Sequence, residues 1–244
     1  MSTAAIPVHV ALVDATGTID DDELAQVAGA LNEQVQADFA PVWRVAATVG
    51  AYPRASVGTW RIELRDGLDQ PGAAGYHADA HKQPYALVDA QAGDWHQTAS
   101  HELLEMLADP WGARFHTAAA PKGWSGASRR VRYLLEVCDP PEVVGYEVGG
   151  VQMSDFILPA FYRSARRGAL AAYSHTGAIR EPLQVIDGGY VSFVDPATDE
   201  WWQRFVSGDR VQDVNQGRAD LGAMTPREWV DAKAREVRAG SAGA

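Results

Sequence analysis

The stretch TASHELLEMLADP, residues 98–110, constrains the fold more than any other part of the chain. At about 100° per residue, Leu103, Leu104, Met106 and Leu107 supply an apolar side. His101 and Glu105, four apart, lie about 40° from each other on one face, and Asp109, two turns beyond His101, stays within about 80° of the same line. A helix over about 98–109, with Thr98 or Ser100 as its cap, therefore carries an apolar stripe and a polar one. The apolar stripe needs a surface to pack on.

The preceding chain supplies one. PVHVALVD reads as a strand, and TIDDDELAQVAGALNEQVQADF as a helix entered at an acidic cap, with Leu24, Val27, Ala28, Leu31 and Val35 at helical spacing. VWRVAATVGAYP and GTWRIELRDG read as strands, QPGAAGYHADAHKQP as a turn-rich loop, and YALVDA as a short strand. The order β, α, β, β, β, α predicts an α/β (α+β) fold, a twisted mixed sheet packed on helices. Beyond Pro110 the pattern is irregular. RVRYLLEVCDPPE and GVQMSDFILPAFY read as short extended pieces, and GGYVSFVDPATDEWW as a hairpin turning at Pro196–Glu200. Thr225, Pro226 and Glu228 start a terminal helix over about 226–239, Gly240 stops it, and the tail SAGA is frayed. This gives one domain over 1–205 and a C-terminal extension over 206–244.

A net charge of −11 over 244 residues excludes the concentrated basic surface that nucleic acid requires. No run approaches the roughly 20 apolar residues of a membrane span, and the first residues, MSTAAIPVHVALVDATG, have neither a basic leader nor a long apolar segment, so a cytoplasmic protein is expected. The one cysteine, Cys138, forms no internal disulfide, and its apolar flanks read as those of a buried, inert thiol.

The polar stripe suits a metal. His101 and Glu105 can chelate one ion, and Glu102, about 100° round, falls beside it, where zinc proteases place the carboxylate that activates water. Those proteases read HExxH; here the second histidine is Glu105. A further ligand must come from elsewhere, and YLLEVCDPPE offers Glu136 and Asp139 between Leu134, Leu135, Val137 and Cys138, where acids are costly to bury unless paired or ligated. His77 and His81 stand in the upstream loop, and His96 just before the helix. The plainer alternative is an amphipathic helix with acids near the positive end of its dipole. GWSGAS lacks the G-x-S-x-G spacing of a serine hydrolase, and no phosphate loop or dinucleotide fingerprint is present. Trp95, Trp124, Trp201, Trp202 and Tyr162 read as core or rim residues, or as the lining of a groove.

The blocks GYH with Asp79, SHELLEMLADP, LEVCDP and VQMSDFILPAFY, in that order, resemble an uncharacterised group of bacterial and phage-encoded proteins, over residues 8 to 205. More loosely, the element order ending in an HE-bearing helix resembles the zincin metallopeptidases, in particular their glutamate-ligand branch. That resemblance implies His101 as first ligand, Glu102 as catalytic base, Glu136 as downstream ligand and Asp139 as the partner that orients a ligand. Zinc is the expected ion, but Glu105 in place of histidine makes the ligand set richer in oxygen, which weakens selectivity for zinc and leaves Mn²⁺, Fe²⁺ or Ca²⁺ open. The reading is a metal-dependent hydrolase of peptides or small amides: ion on His101 and Glu105 plus Glu136 or Asp139, Asp109 near the same line, Glu102 as base. Tyr162 or His77 is the candidate for stabilising the oxyanion. The alternative is a non-catalytic protein whose metal supports a binding surface.

Overall fold

A computed structural model of the chain describes residues 7–70, 72–163 and 172–242. The residues divide into two compact units, Met1–Trp111 with Gly145–Ser154, and Gly112–Val144 with Asp155–Ala244.

The first unit is built on a five-stranded mixed sheet. Its strands are β1 (Val8–Asp14), β2 (Ala47–Ala51), β3 (Trp60–Arg65), β4 (Gly75–Ala80) and β5 (Gln83–Asp89), in the order β2-β1-β3-β5-β4. β2, β1, β3 and β5 are parallel, and β4 runs antiparallel along the edge beside β5. Val10 to Val13 of β1 are all buried, as a parallel strand covered on both faces requires. The segment GYHADA, expected as loop, is strand β4. Its hairpin to β5 turns on His81 and Lys82, both at positive φ (55° and 63°), with the Lys82 N–H donating to Asp79 Oδ2 at 3.3 Å. This two-residue turn matches the twist of the strands it joins, but it is made without the glycine or asparagine that usually announces it.

Helix α1 (Asp21–Glu33) is capped by Asp20, whose side chain accepts from the Asp22 N–H. It does not stop at Phe39 as the sequence suggests. A π-helical turn over Gln34–Phe39, in which the Ala40 N–H reaches the Val35 carbonyl, leads into α2 (Ala40–Trp43), so Val42 and Trp43 are helical and not part of a strand. Pro41 has no N–H for the carbonyl of Ala37, and its ring would crowd that carbonyl in a regular helix; the widened turn accommodates it. Arg44, in the left-handed region at φ 57°, ends the helix.

Helix α3 (Trp95–Ala108) carries the polar stripe and packs on β4 and β5. It begins one turn earlier than expected, so Thr98 and Ser100 lie inside it and neither is its cap. The chain then leaves for the second unit, beginning its sheet with β6 (Phe115–Ala119) and β7 (Arg130–Leu134). It returns at β8 (Gly145–Val148) and β9 (Val151–Ser154), a hairpin turning on Gly149 and Gly150 at φ 57° and 81°. β9 packs on α3 and α1.

Three elements of this unit meet at one buried amide. Gln34, in the π turn, donates from Nε2 to the Ser154 carbonyl (3.0 Å) and to Tyr146 Oη (3.2 Å), and its Oε1 accepts from Ser100 Oγ (2.7 Å). The Ser154 N–H donates to the same Ser100 Oγ at 3.0 Å. Helix α3 is thereby fixed in rotation and height one residue before His101.

In the second unit, the expected pieces RVRYLLEVCDPPE and GGYVSFVDPATDEWW supply strands of a regular antiparallel sheet, β12-β11-β10-β7-β6, whereas GVQMSDFILPAFY supplies β9 of the first unit. The antiparallel sheet adds β10 (Tyr190–Asp195), β11 (Glu200–Ser207) and β12 (Arg210–Gly217). The hairpin expected around Pro196–Glu200 joins β10 to β11. Residues beyond 205 are integral to this unit: β12 pairs along β11, and Trp229 and Val230 of helix α4 (Pro226–Ala242) pack with Leu134, Val194 and Trp201. The expected start of α4 is a reciprocal cap, Thr225 N–H to Glu228 Oε2 at 2.6 Å and Glu228 N–H to Thr225 Oγ1 at 3.2 Å. The helix continues through Gly240 to Ala242; residues 243 and 244 of the tail lie outside the described residues. Among the described residues, no helix is long and apolar enough to cross a membrane.

Gln34→Leu removes three hydrogen bonds from a fully buried place while keeping most of the volume. It is expected to cost roughly 2–4 kcal/mol, seen as a lowered denaturant midpoint at unchanged slope.

Candidate functional site

The site begins with the pleat of β4. Tyr76 and Ala78 pack with Leu87, against Leu68 and Tyr85, which turns Gly75 and His77 to the opposite face. There β4 lies against α3, closely enough that a Cβ at Gly75 would stand 2.6 Å from Thr98 Cγ2 and 3.0 Å from Glu102 Cγ. Only glycine permits that approach. Two residues along, His77 Nδ1 lies 3.1 Å from Glu102 Oε2. An ionised carboxylate has no proton to give, so against ionised Glu102 the imidazole is the donor. Both side chains are buried, and His77 Nε2, also buried, has no hydrogen-bond partner among the described residues.

One turn further along α3, His101 Nε2 lies 3.5 Å from Glu105 Oε2. Glu105 is fully buried, whereas His101 keeps 15% of its side chain exposed, so this pair has one face toward solvent. One ring nitrogen of His77 and one carboxylate oxygen each from Glu102 and Glu105 lie within 4.8 Å of one another. A buried carboxylate needs a compensating proton, cation or set of donors, because the desolvation penalty is several kcal/mol per ion. Two of them on successive turns of one helix, each beside an imidazole, form a donor set of nitrogen and oxygen suited to a divalent metal.

The other predicted residues take these places. Asp109, buried, ends α3, and its N–H donates to the Glu105 carbonyl at 2.7 Å. Glu136 and Asp139 belong to the second unit and follow the end of β7; both are buried, as is Cys138. Within that unit, Arg227 of α4 lies 3.5 Å from Glu136 and 3.3 Å from Asp231. Burial, and then the charges of Asp139, Glu136 and Asp231, push the Tyr190 hydroxyl well above its ordinary range. Tyr162 stacks on His116 at 4.5 Å with nearly parallel rings, and burial holds the His116 imidazole below the usual histidine range. His81 is an exposed turn residue, and His96 is 3.3 Å from Glu23 at the surface.

Sequence reasoning missed Gly75, Gln34 and Arg227. For Arg227 a signal exists: it stands three residues before the buried Val230, on the inward face of an amphipathic helix where a guanidinium needs an acidic partner. For Gln34 and Gly75 the determinants are long-range packing, which local pattern does not carry.

Comparison of the chain with family models, curated proteins and solved structures returned no match.

Gly75→Ala is expected to drive β4 and α3 apart and lengthen the His77–Glu102 contact, at about 1–3 kcal/mol of stability. Adding Thr98→Ser removes the 2.6 Å clash and is expected to restore part of that loss in thermal denaturation.

Proposed function

We propose that the protein is a metal-dependent hydrolase of a peptide or small amide bond, with a divalent ion on His101 and Glu105 and with Glu102 as general base. The observation that carries this is the 3.5 Å separation of His101 Nε2 and Glu105 Oε2 on adjacent turns of α3. Two ligand atoms each about 2.1 Å from a tetrahedral ion stand about 3.4 Å apart. The imidazole and carboxylate are thus spaced for an ion without rearrangement.

When bound, a divalent ion supplies polarisation of the scissile carbonyl and lowers the pKa of water. Glu102, on the residue between the turns that hold the ion, takes the proton from the attacking water and returns it to the leaving nitrogen. His77 holds the Glu102 carboxylate at 3.1 Å. The partial exposure of His101 gives a substrate its approach. One nitrogen with one or two carboxylate oxygens suits zinc and admits Mn²⁺, Fe²⁺ or Ca²⁺. The proposal is built on side chains of the first unit alone and draws nothing from Glu136 and Asp139. A cytoplasmic location, where thiols stay reduced, is part of the same proposal and is in keeping with the single cysteine.

The depth of the cluster favours a second reading. Glu105 is 0% and Glu102 5% exposed, as in a closed site whose ion serves the fold alone. Glu102→Gln separates the two. In a hydrolase the variant keeps metal and fold and loses turnover by about 10²-fold or more, read by mass spectrometry on a peptide library. In the structural reading there is no turnover to lose. Elemental analysis comes first: His101→Ala is expected to lose metal and, with it, the stabilisation that a ligand of the folded state confers. Wild type that holds no metal after reconstitution overturns both readings.

A further inference from the structure

Glu102 has two options beside an ion held by Glu105: to stay off it as a base, or to join it as a ligand. Joining takes little movement. The ligand-capable atoms of His77, Glu102 and Glu105 are within 4.8 Å of one another, and atoms bound to one ion at about 2.1 Å stand up to about 4.2 Å apart. A carboxylate that joins the ion fills the position a catalytic centre keeps open, and it no longer serves as base. Something must hold Glu102 back.

We propose that His77 is the positioning residue that keeps Glu102 off the metal, an inference that rests on the hydrolase reading. The imidazole is anchored in a strand whose register is fixed by pairing of His77 with Ala86. Its Nδ1 engages Glu102 Oε2 at 3.1 Å, while its buried Nε2 has no hydrogen-bond partner, so among the described residues the ring's hydrogen bonding is directed to Glu102 alone. The missing Cβ at Gly75 brings strand and helix close enough for the contact. Were His77 only a core residue, an apolar side chain would serve that buried place better.

The test is titration of the metal-free full chain with Co²⁺, whose visible spectrum reports its coordination. His77→Met fills the space without a donor; His77→Gln keeps an N–H donor. Wild type and His77→Gln are expected to share one spectrum and affinity. His77→Met is expected to bind about tenfold tighter with altered bands, since an added carboxylate strengthens and reshapes the site, and groups touching ligands act on that scale. The double variant His77→Met/Glu102→Gln is expected to return to the wild-type spectrum. Glu102→Gln alone is expected to leave it unchanged, an arm that stands even if His77→Met does not fold. A wild-type spectrum in His77→Met, an alteration that persists in the double variant, or weaker binding in His77→Met overturns the inference while leaving the hydrolase reading intact, whereas an altered spectrum in Glu102→Gln alone makes Glu102 a ligand and overturns both. No Co²⁺ bound by wild type overturns both.

Discussion

The first unit depends on a buried amide. Gln34 sits where a helix widens into a π turn, and it ties that turn to the hydroxyl of Ser100 and the carbonyl of Ser154. None of the three residues reaches water, so each retains its hydrogen bonds only if all three elements keep their places. Apolar contact alone would let α3 slide or roll by a fraction of a turn. A hydrogen-bonded hydroxyl one residue before His101 does not, and the positions of His101, Glu102 and Glu105 follow from it. The π turn is therefore part of the site, although it adds no side chain to the group around Glu102 and Glu105.

The two units bury acids by different means. In the first, each of two helical glutamates has an imidazole beside it, a side chain that is also a metal ligand type. In the second, Glu136 and Asp231 share the guanidinium of Arg227, a planar cation with several donors. Such a cation suits a structural knot. An imidazole suits the metal-binding role proposed for the first.

The fold was legible where local pattern and tertiary environment agree. The periodicity of α1, the β-branched run of β1, the cap of α4 and the β10–β11 turn all express their environment in consecutive residues. It was not legible in β4, because Ala-rich GYHADA has little strand propensity and its turn is built from His81 and Lys82. The missed strand matters most, since it carries His77. For the site, the spacing of His101, Glu102 and Glu105 on one helix could be read directly, whereas the His77–Glu102 contact depends on a glycine that lets two backbones approach. Burial of Glu136 and Asp139 could be anticipated from their apolar flanks, and that of Arg227 from its place on α4; that Arg227 faces Glu136, from a helix far along the chain, could not.

The discontinuity of the first unit bears on how the protein is made. Ribosomal synthesis delivers β1 through α3 as one block, yet the strand that supplies Ser154 follows only after residues 112–144, which belong elsewhere. Until then Ser100 and Gln34 lack one side of their network, and α3 is held only by the Ser100–Gln34 hydrogen bond and its packing on β4 and β5. A chain released early would hold the helix without its clamp. Closing so distant a contact carries a loop-entropy cost and slows the final step. The hydrogen-bond network that sets the rotation of α3 is thus complete only once residue 154 has been made.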